Sequence, residues 1–128
     1  MYNKKESIED YLEKILMLKK ERQIVRAIDI ATFMNFSKPS VSVALKKLKN
    51  YGYVLVNDET GDISLTEEGK KIAEATFERH EILSKTFMEL GVSEKTAYED
   101  ACQIEHVISD ETFEMLKRHY YENLKRGK

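Results

Sequence analysis

The stretch AIDIATFMNFSKPSVSVALKKLKNYGYVLVNDETGDISL, residues 27–65, decides the fold. Ala27 to Met34 reads as a short helix. Asn35 and Phe36 separate it from Ser37-Lys38-Pro39-Ser40, where Ser37 is a good N-cap and Pro39 is tolerated in a first helical turn. Val41, Leu45 and Leu48 follow at helical spacing, and Tyr51-Gly52 stops the helix, with Gly suited to a left-handed cap. Two β-branched or aromatic runs, Tyr53 to Val56 and Ile63 to Leu65, then flank the Gly-containing turn from Asn57 to Asp62, which reads as a hairpin. Helix, turn, helix, hairpin is the order of a winged helix-turn-helix.

Upstream, Ser7 is expected to cap a first helix that buries Ile8, Leu12, Ile15, Leu16 and the stem of Lys19. Downstream, Thr66-Glu67-Glu68-Gly69 opens a long helix running to Leu90. Its leading acids favour the helix dipole, and Gly91 ends it. Ser93 is expected to cap a fifth helix reaching about Val107. Ser109, followed by Asp110 and Glu111, starts a sixth that ends before Gly127. The expected fold is therefore mainly α, with a small winged hairpin.

The formal net charge of the 128-residue chain is only -2, but it is unevenly spread. Residues 1–50 hold 11 Lys/Arg against 6 Asp/Glu, so +5, while residues 66–128 hold 10 against 14, so -4. This asymmetry points to a basic working surface at one end. No apolar run approaches the roughly 20 residues of a membrane span. The polar start, Met1 to Asp10, reads as lacking a secretory signal, and one cysteine cannot form an internal disulfide; both suit a reducing cytoplasm. There is no Gly-rich phosphate loop and no nucleophile motif, so an enzyme is not expected.

The third helix carries Lys38, Lys46, Lys47 and Lys49 and no acid. Its opening residues, Ser37, Lys38, Pro39, Ser40 and Ser42, are small or polar, so its backbone can approach a groove of double-stranded DNA closely. An ordinary helix with a solvated basic face would look similar in isolation. The preceding helix and the following hairpin favour DNA binding. Lys46, Lys47 and Lys49 are expected at phosphates, and Ser37, Pro39, Ser42 and Val43 at base edges.

A second constellation lies in Ala101-Cys102-Gln103-Ile104-Glu105-His106. Cys102, Glu105 and His106 have the i, i+3, i+4 spacing that shares one helix face. A thiolate, a carboxylate and an imidazole there make a half-site for a divalent metal. A partly buried cysteine beside a surface Glu-His pair would read the same. Asp10 and Glu13, one turn apart on the first helix, and His80 on the fourth are unremarkable taken singly.

The chain resembles the diphtheria toxin repressor and manganese transport regulator family over nearly its whole length. The resemblance rests on Ser7-Ile8-Glu9-Asp10-Tyr11-Leu12-Glu13, Ser37-Lys38-Pro39-Ser40-Val41-Ser42, Leu65-Thr66-Glu67-Glu68-Gly69, Arg79-His80 and Ile104-Glu105-His106-Val107-Ile108-Ser109. It implies a winged helix-turn-helix DNA-binding domain over residues 1–66 and a helical metal-binding and dimerisation domain over 67–128. It implies a main metal site of Asp10, Cys102, Glu105 and His106, and a second ion held by Glu13 and His80 that shares Glu105. It further implies that Ser7 and Ser37 reach phosphates.

The ligand set is a hybrid. Asp10 is the manganese-type choice, where the iron-type branch has methionine; Cys102 is the iron-type choice, where the manganese-type branch has glutamate. Ser84 and Tyr98 stand where the iron-type ancillary site has glutamate and histidine, Val43 stands where iron-type members carry glutamine, and the C-terminal SH3-like domain of that branch is expected to be missing. Hard oxygen donors suit Mn(II), while a thiolate favours Fe(II), Co(II), Ni(II) or Zn(II), so the expected cofactor is Fe(II) or Mn(II), with Fe(II) preferred. The implied function is a homodimeric, metal-dependent transcriptional regulator, usually a repressor, that binds a palindromic operator and controls metal-ion uptake genes. A metal joining the two domains would set the spacing of the paired recognition helices. Phe87, Leu90, Ile104, Ile108, Phe113 and Leu116 are spaced to make a dimer surface, and some of them are expected to fill the domain's own core instead. The alternative is a winged-helix regulator answering a small ligand or oxidation of Cys102.

Overall fold

The structure is a computed structural model that describes residues 4–124, with side chains from residue 8 to 123. Its elements run α1 (Lys4–Glu21), α2 (Ala27–Met34), α3 (Lys38–Asn50), β1 (Val54–Val56), β2 (Ile63–Leu65), α4 (Glu67–Glu89), α5 (Glu94–Ile104) and α6 (Asp110–His119), followed by a π-helical turn, Tyr120–Leu124. The chain divides into two compact units, Met1–Glu74 and Ala75–Lys128. No helix among the described residues is long and apolar enough to cross a membrane.

In the first unit, α1 packs against α2 and β2, and α3 against α2 and β1. Leu12, Ile15 and Val25 are wholly buried with Ile30, Val41, Val54 and Ile63, and Leu45 and Leu48 complete this core. α2 has the expected bounds; Asn35 closes it in the left-handed conformation, with its N–H on the carbonyls of Ala31 and Thr32. α3 opens as expected on Ser37, whose Oγ accepts from the Ser40 N–H at 3.2 Å. The hairpin is antiparallel, with Val54 opposite Leu65 and Val56 opposite Ile63.

Three ties seat the hairpin. The Ile63 N–H donates to the Val25 carbonyl at 2.7 Å. Asp62 accepts from Lys19 Nζ and from the Val25 N–H, each at 2.8 Å. Arg26 Nε donates to the Thr60 carbonyl at 2.7 Å. Lys19 therefore does more than lay its stem on the core: its charge anchors the wing. The start of α4 is joined to the turn between α3 and β1 through Thr66, whose N–H and Oγ1 donate to the carbonyls of Tyr53 and Gly52 at 3.0 and 2.7 Å. Gly69 is needed there, because a Cβ would stand 2.1 Å from the Tyr53 oxygen.

Two expectations need correction. α1 begins at Lys4, so Ser7 lies inside its first turns and does not cap it; no Pro or Gly precedes Ser7 to stop the helix there. The side chain of Ser7 lies outside the described residues. α5 ends at Ile104, three residues earlier than expected, so Glu105 is its C-cap and His106 lies in the turn beyond. Of the apolar residues divided between dimer surface and core, Phe113 lies in the core of the second unit, 4% exposed.

Ser93 and Ser109 cap α5 and α6, each Oγ accepting a backbone N–H three residues on. The buried residues of the second unit are unusually polar: Thr76, His80, Ser84, Thr86, Glu105 and His106 accompany Ile82, Leu83, Ala97, Ala101 and Phe113. Apolar side chains alone would pack at less cost, since each buried polar group must recover its lost hydration.

Candidate metal centre and DNA-binding helix

His80 lies on α4, Cys102 in the last turn of α5, and Glu105 at its C-cap. One donor atom from each falls within 4.8 Å of the others. His80 Nδ1 is 2.9 Å from Glu105 Oε1 and 3.8 Å from Cys102 Sγ. An ionised carboxylate has no hydrogen to give, so Nδ1 supplies the proton of the shorter contact. His106 Nε2 stands 3.5 Å from the other oxygen, Glu105 Oε2. The Glu105 side chain is fully buried. A carboxylate so enclosed needs positive charge nearby. Tyr98 packs edge-on against the His80 ring, with centroids 4.5 Å apart, and limits its rotation.

This donor set suits a divalent ion. Metal bonds of about 2.0–2.3 Å place two donors on one ion about 3 to 4 Å apart, close to the spacing here. A thiolate and an imidazole beside one carboxylate match Fe(II), Co(II) or Zn(II) more closely than an all-oxygen cage would. His80, Cys102 and Glu105 thus come together within one unit, with His106 on the far side of the Glu105 carboxylate.

Asp10 and Glu13 belong to the first unit. Both are buried, and Lys14 Nζ lies 3.2 Å from Asp10 Oδ1 and 3.1 Å from Glu13 Oε1. Glu13 Oε2 is buried and has no hydrogen-bond partner among the described residues. An acceptor left that way carries a desolvation cost that a cation would remove.

On α3, Ser37, Lys38, Pro39, Ser40, Ser42, Val43, Lys46, Lys47 and Lys49 are all exposed, while Val41, Leu45 and Leu48 hold the opposite face in the core. Val43 is 57% exposed, and the helix contains no acid. A solvent-facing row of small polar residues, bounded by lysines and free of acids, can approach an anionic groove without charge repulsion.

Arg79 and Asp62 were not singled out as functional candidates from the sequence. Arg79 donates to backbone carbonyls at the turn after α5, and Asp62 fixes the wing. A basic residue beside His80 was visible as part of a motif. Its targets, Glu105 and Ile108, lie 26 and 29 positions away.

Two family models match the chain: the iron dependent repressor N-terminal DNA binding domain over residues 5–61, and the iron dependent repressor metal binding and dimerisation domain over residues 66–124. An HTH-type transcriptional regulator of Methanocaldococcus jannaschii is 40% identical over 114 residues, covering 88% of this chain and 90% of that protein. The transcriptional regulator MntR of Escherichia coli is 36% identical over 115 residues, covering 90% of this chain and 74% of that protein. The solved structure of the manganese regulator SloR superposes with a TM-score of 0.79 at 30% identity, covering 89% of this chain. The chain spans about half of that structure, 53%. With both halves matched by the family's own domains, and with the donor cluster inside the part matched as metal-binding, the chain belongs to the iron-dependent repressor family.

Proposed function

We propose that this protein is a non-enzymatic, metal-dependent transcriptional repressor that binds double-stranded DNA as a homodimer and senses Fe(II) or Mn(II). The observation that carries the reading is the buried Glu105 carboxylate, enclosed by His80 and His106 with the Cys102 sulfur alongside. A bound divalent ion supplies the positive charge that this carboxylate requires. His80 and Glu105 present their donors from different helices, so the same contacts hold α4 against the end of α5.

The proposed ligands are His80, Cys102, Glu105 and His106. Asp10 and Glu13 are added on the family resemblance and on the burial of both carboxylates. The thiolate of Cys102 favours Fe(II) over Mn(II), although SloR is named a manganese regulator. The proposed division is residues 1–66 for DNA and 67–128 for metal and dimerisation. On the recognition helix, Lys46, Lys47 and Lys49 meet phosphates and Ser37, Pro39, Ser42 and Val43 face base edges, with Lys38 and Ser40 also at the DNA; the family resemblance adds Ser7 and Ser37 at phosphates. Leu90 and Val107, 76% and 67% exposed, belong to the dimer surface. The protein acts in the cytoplasm on a palindromic operator, upstream of genes for metal-ion uptake.

For metal to regulate, it must bind more tightly to the DNA-competent arrangement, and DNA must tighten metal binding by the same factor. Control by a small organic ligand or by Cys102 oxidation alone is not favoured, since neither explains the convergence of three donor types. The test is selection from randomised duplex DNA, anaerobically, with chelator or with Fe(II), Mn(II) or Zn(II). A palindrome enriched only with metal is expected. Equal enrichment with chelator would overturn the reading.

A further inference from the structure

Arg79 precedes His80 on α4, and its side chain reaches the turn between α5 and α6 that carries Glu105 and His106. Nη1 donates to the Ile108 carbonyl at 2.7 Å and to the Glu105 carbonyl at 3.4 Å. Nη2 donates to the carboxylate of Asp110 in the first turn of α6. The guanidinium carbon lies 5.2 Å from the centroid of the buried Phe113 ring.

These contacts differ in weight. The Asp110 side chain is 94% exposed, so its ion pair with Arg79 contributes little. The carbonyl contacts matter more. α5 stops at Ile104, which leaves carbonyls at its end without helical partners, and Arg79 takes the one on Glu105 itself. The planar guanidinium gives both carbonyls the N–H groups of one fixed nitrogen, Nη1, while its carbon sits over an aromatic ring. A lysine ammonium on a flexible stem cannot do both.

We propose that Arg79 is a positioning residue of the metal cluster: by holding the carbonyls of Glu105 and Ile108, it fixes the α5–α6 turn so that the Glu105 carboxylate faces His80 and Cys102 before metal arrives. The inference rests on the metal-site reading above. α4 then contributes twice, with His80 as a donor and Arg79 as the brace for the segment bearing the next two donors. Groups that orient metal ligands affect affinity without touching the ion.

The test is anaerobic Co(II) titration of the full chain as wild type, Arg79→Lys and Arg79→Met. Three readouts are taken: affinity, the Co(II) absorption spectrum, and amide hydrogen exchange of Val107 and Ile108 in metal-free protein. Both of those amides donate to the Ile104 carbonyl. Arg79→Lys keeps the charge and most of the stem, so it isolates the fork even if Arg79→Met folds poorly. The expected result is a loss of about tenfold in Co(II) affinity for Arg79→Lys, an altered spectrum and faster exchange at the turn. Affinity, spectrum and exchange all equal to wild type would overturn the proposal. So would a fall in thermal stability with the spectrum and exchange unchanged, which marks a purely structural role. If wild type itself binds no Co(II), the metal-site reading fails, and this inference falls with it.

Discussion

Replacing Gly69 by alanine sets two opposed effects against each other near the start of α4. Helix propensity favours alanine over glycine by about 1 kcal/mol. Against it, the added Cβ would stand 2.1 Å from the Tyr53 carbonyl oxygen and 2.9 Å from its carbonyl carbon, well inside ordinary contact. The obstructing atoms are backbone, so no rotamer change relieves them, and the start of α4 must move away from the turn before β1. That movement stretches the two bonds from Thr66 to Tyr53 and Gly52. Overpacking costs about 1–3 kcal/mol, and each weakened hydrogen bond adds about 1 kcal/mol. With the propensity gain subtracted, Gly69→Ala should destabilise by about 2–4 kcal/mol. Urea unfolding followed by circular dichroism measures this, with Lys70→Ala at the exposed neighbouring position as a control expected to stay within about 0.5 kcal/mol. DNA affinity should fall too, since the wing continues from Tyr53. A Gly69→Ala protein as stable as wild type, or more so, would refute the close approach and leave propensity as the only effect.

Other outcomes follow from the same geometry. Lys19 and the Val25 N–H hold the Asp62 carboxyl below the usual aspartate range, so its contribution to stability is complete above about pH 4 and is lost as pH falls through its lower folded value. The stability difference between wild type and Asp62→Asn should therefore be constant near neutrality and shrink in acid; a difference independent of pH would remove the ion pair from the account. Glu105→Gln should abolish metal-induced stabilisation, which for wild type reaches about 2.7 kcal/mol when free metal exceeds the Kd by about a hundredfold. An undiminished metal-dependent shift in the urea midpoint would exclude Glu105 as a ligand. Lys47→Ala should weaken binding to all duplexes alike and reduce the slope of log affinity against log salt by about 1; an unchanged slope would place Lys47 away from phosphate.

Much of the first unit was legible because its signals are local. Ser37 before Lys38-Pro39, Gly-Asp before the second strand, and the alternation of Val41, Leu45 and Leu48 each act within a few residues, and α2 emerged with its bounds intact. Ser93 and Ser109 were readable for the same reason. Ser7 misled because a capping residue is also tolerated inside a first turn when nothing upstream stops the helix. The end of α5 could not be read locally. Helical spacing continues through Val107, but Arg79 takes up backbone carbonyls beyond Ile104 from a different helix. The donors were visible as residue types, whereas their grouping depended on packing. Spacing put Cys102, Glu105 and His106 on one face, but the turn after Ile104 sends His106 to one side of the Glu105 carboxylate and leaves His80 and Cys102 on the other. For Phe113 the spacing fits dimer surface and core alike, and its burial in the structure decides for core.

The central claim is that a divalent ion binds at His80, Cys102 and Glu105. X-ray absorption of the Zn(II)-loaded protein tests it most directly, comparing wild type with Cys102→Ser. One sulfur at about 2.3 Å with nitrogen and oxygen donors at about 2.0–2.1 Å, and loss of the sulfur shell in the variant, is the predicted result. A wild-type shell of nitrogen and oxygen alone, unchanged by Cys102→Ser, would contradict the account.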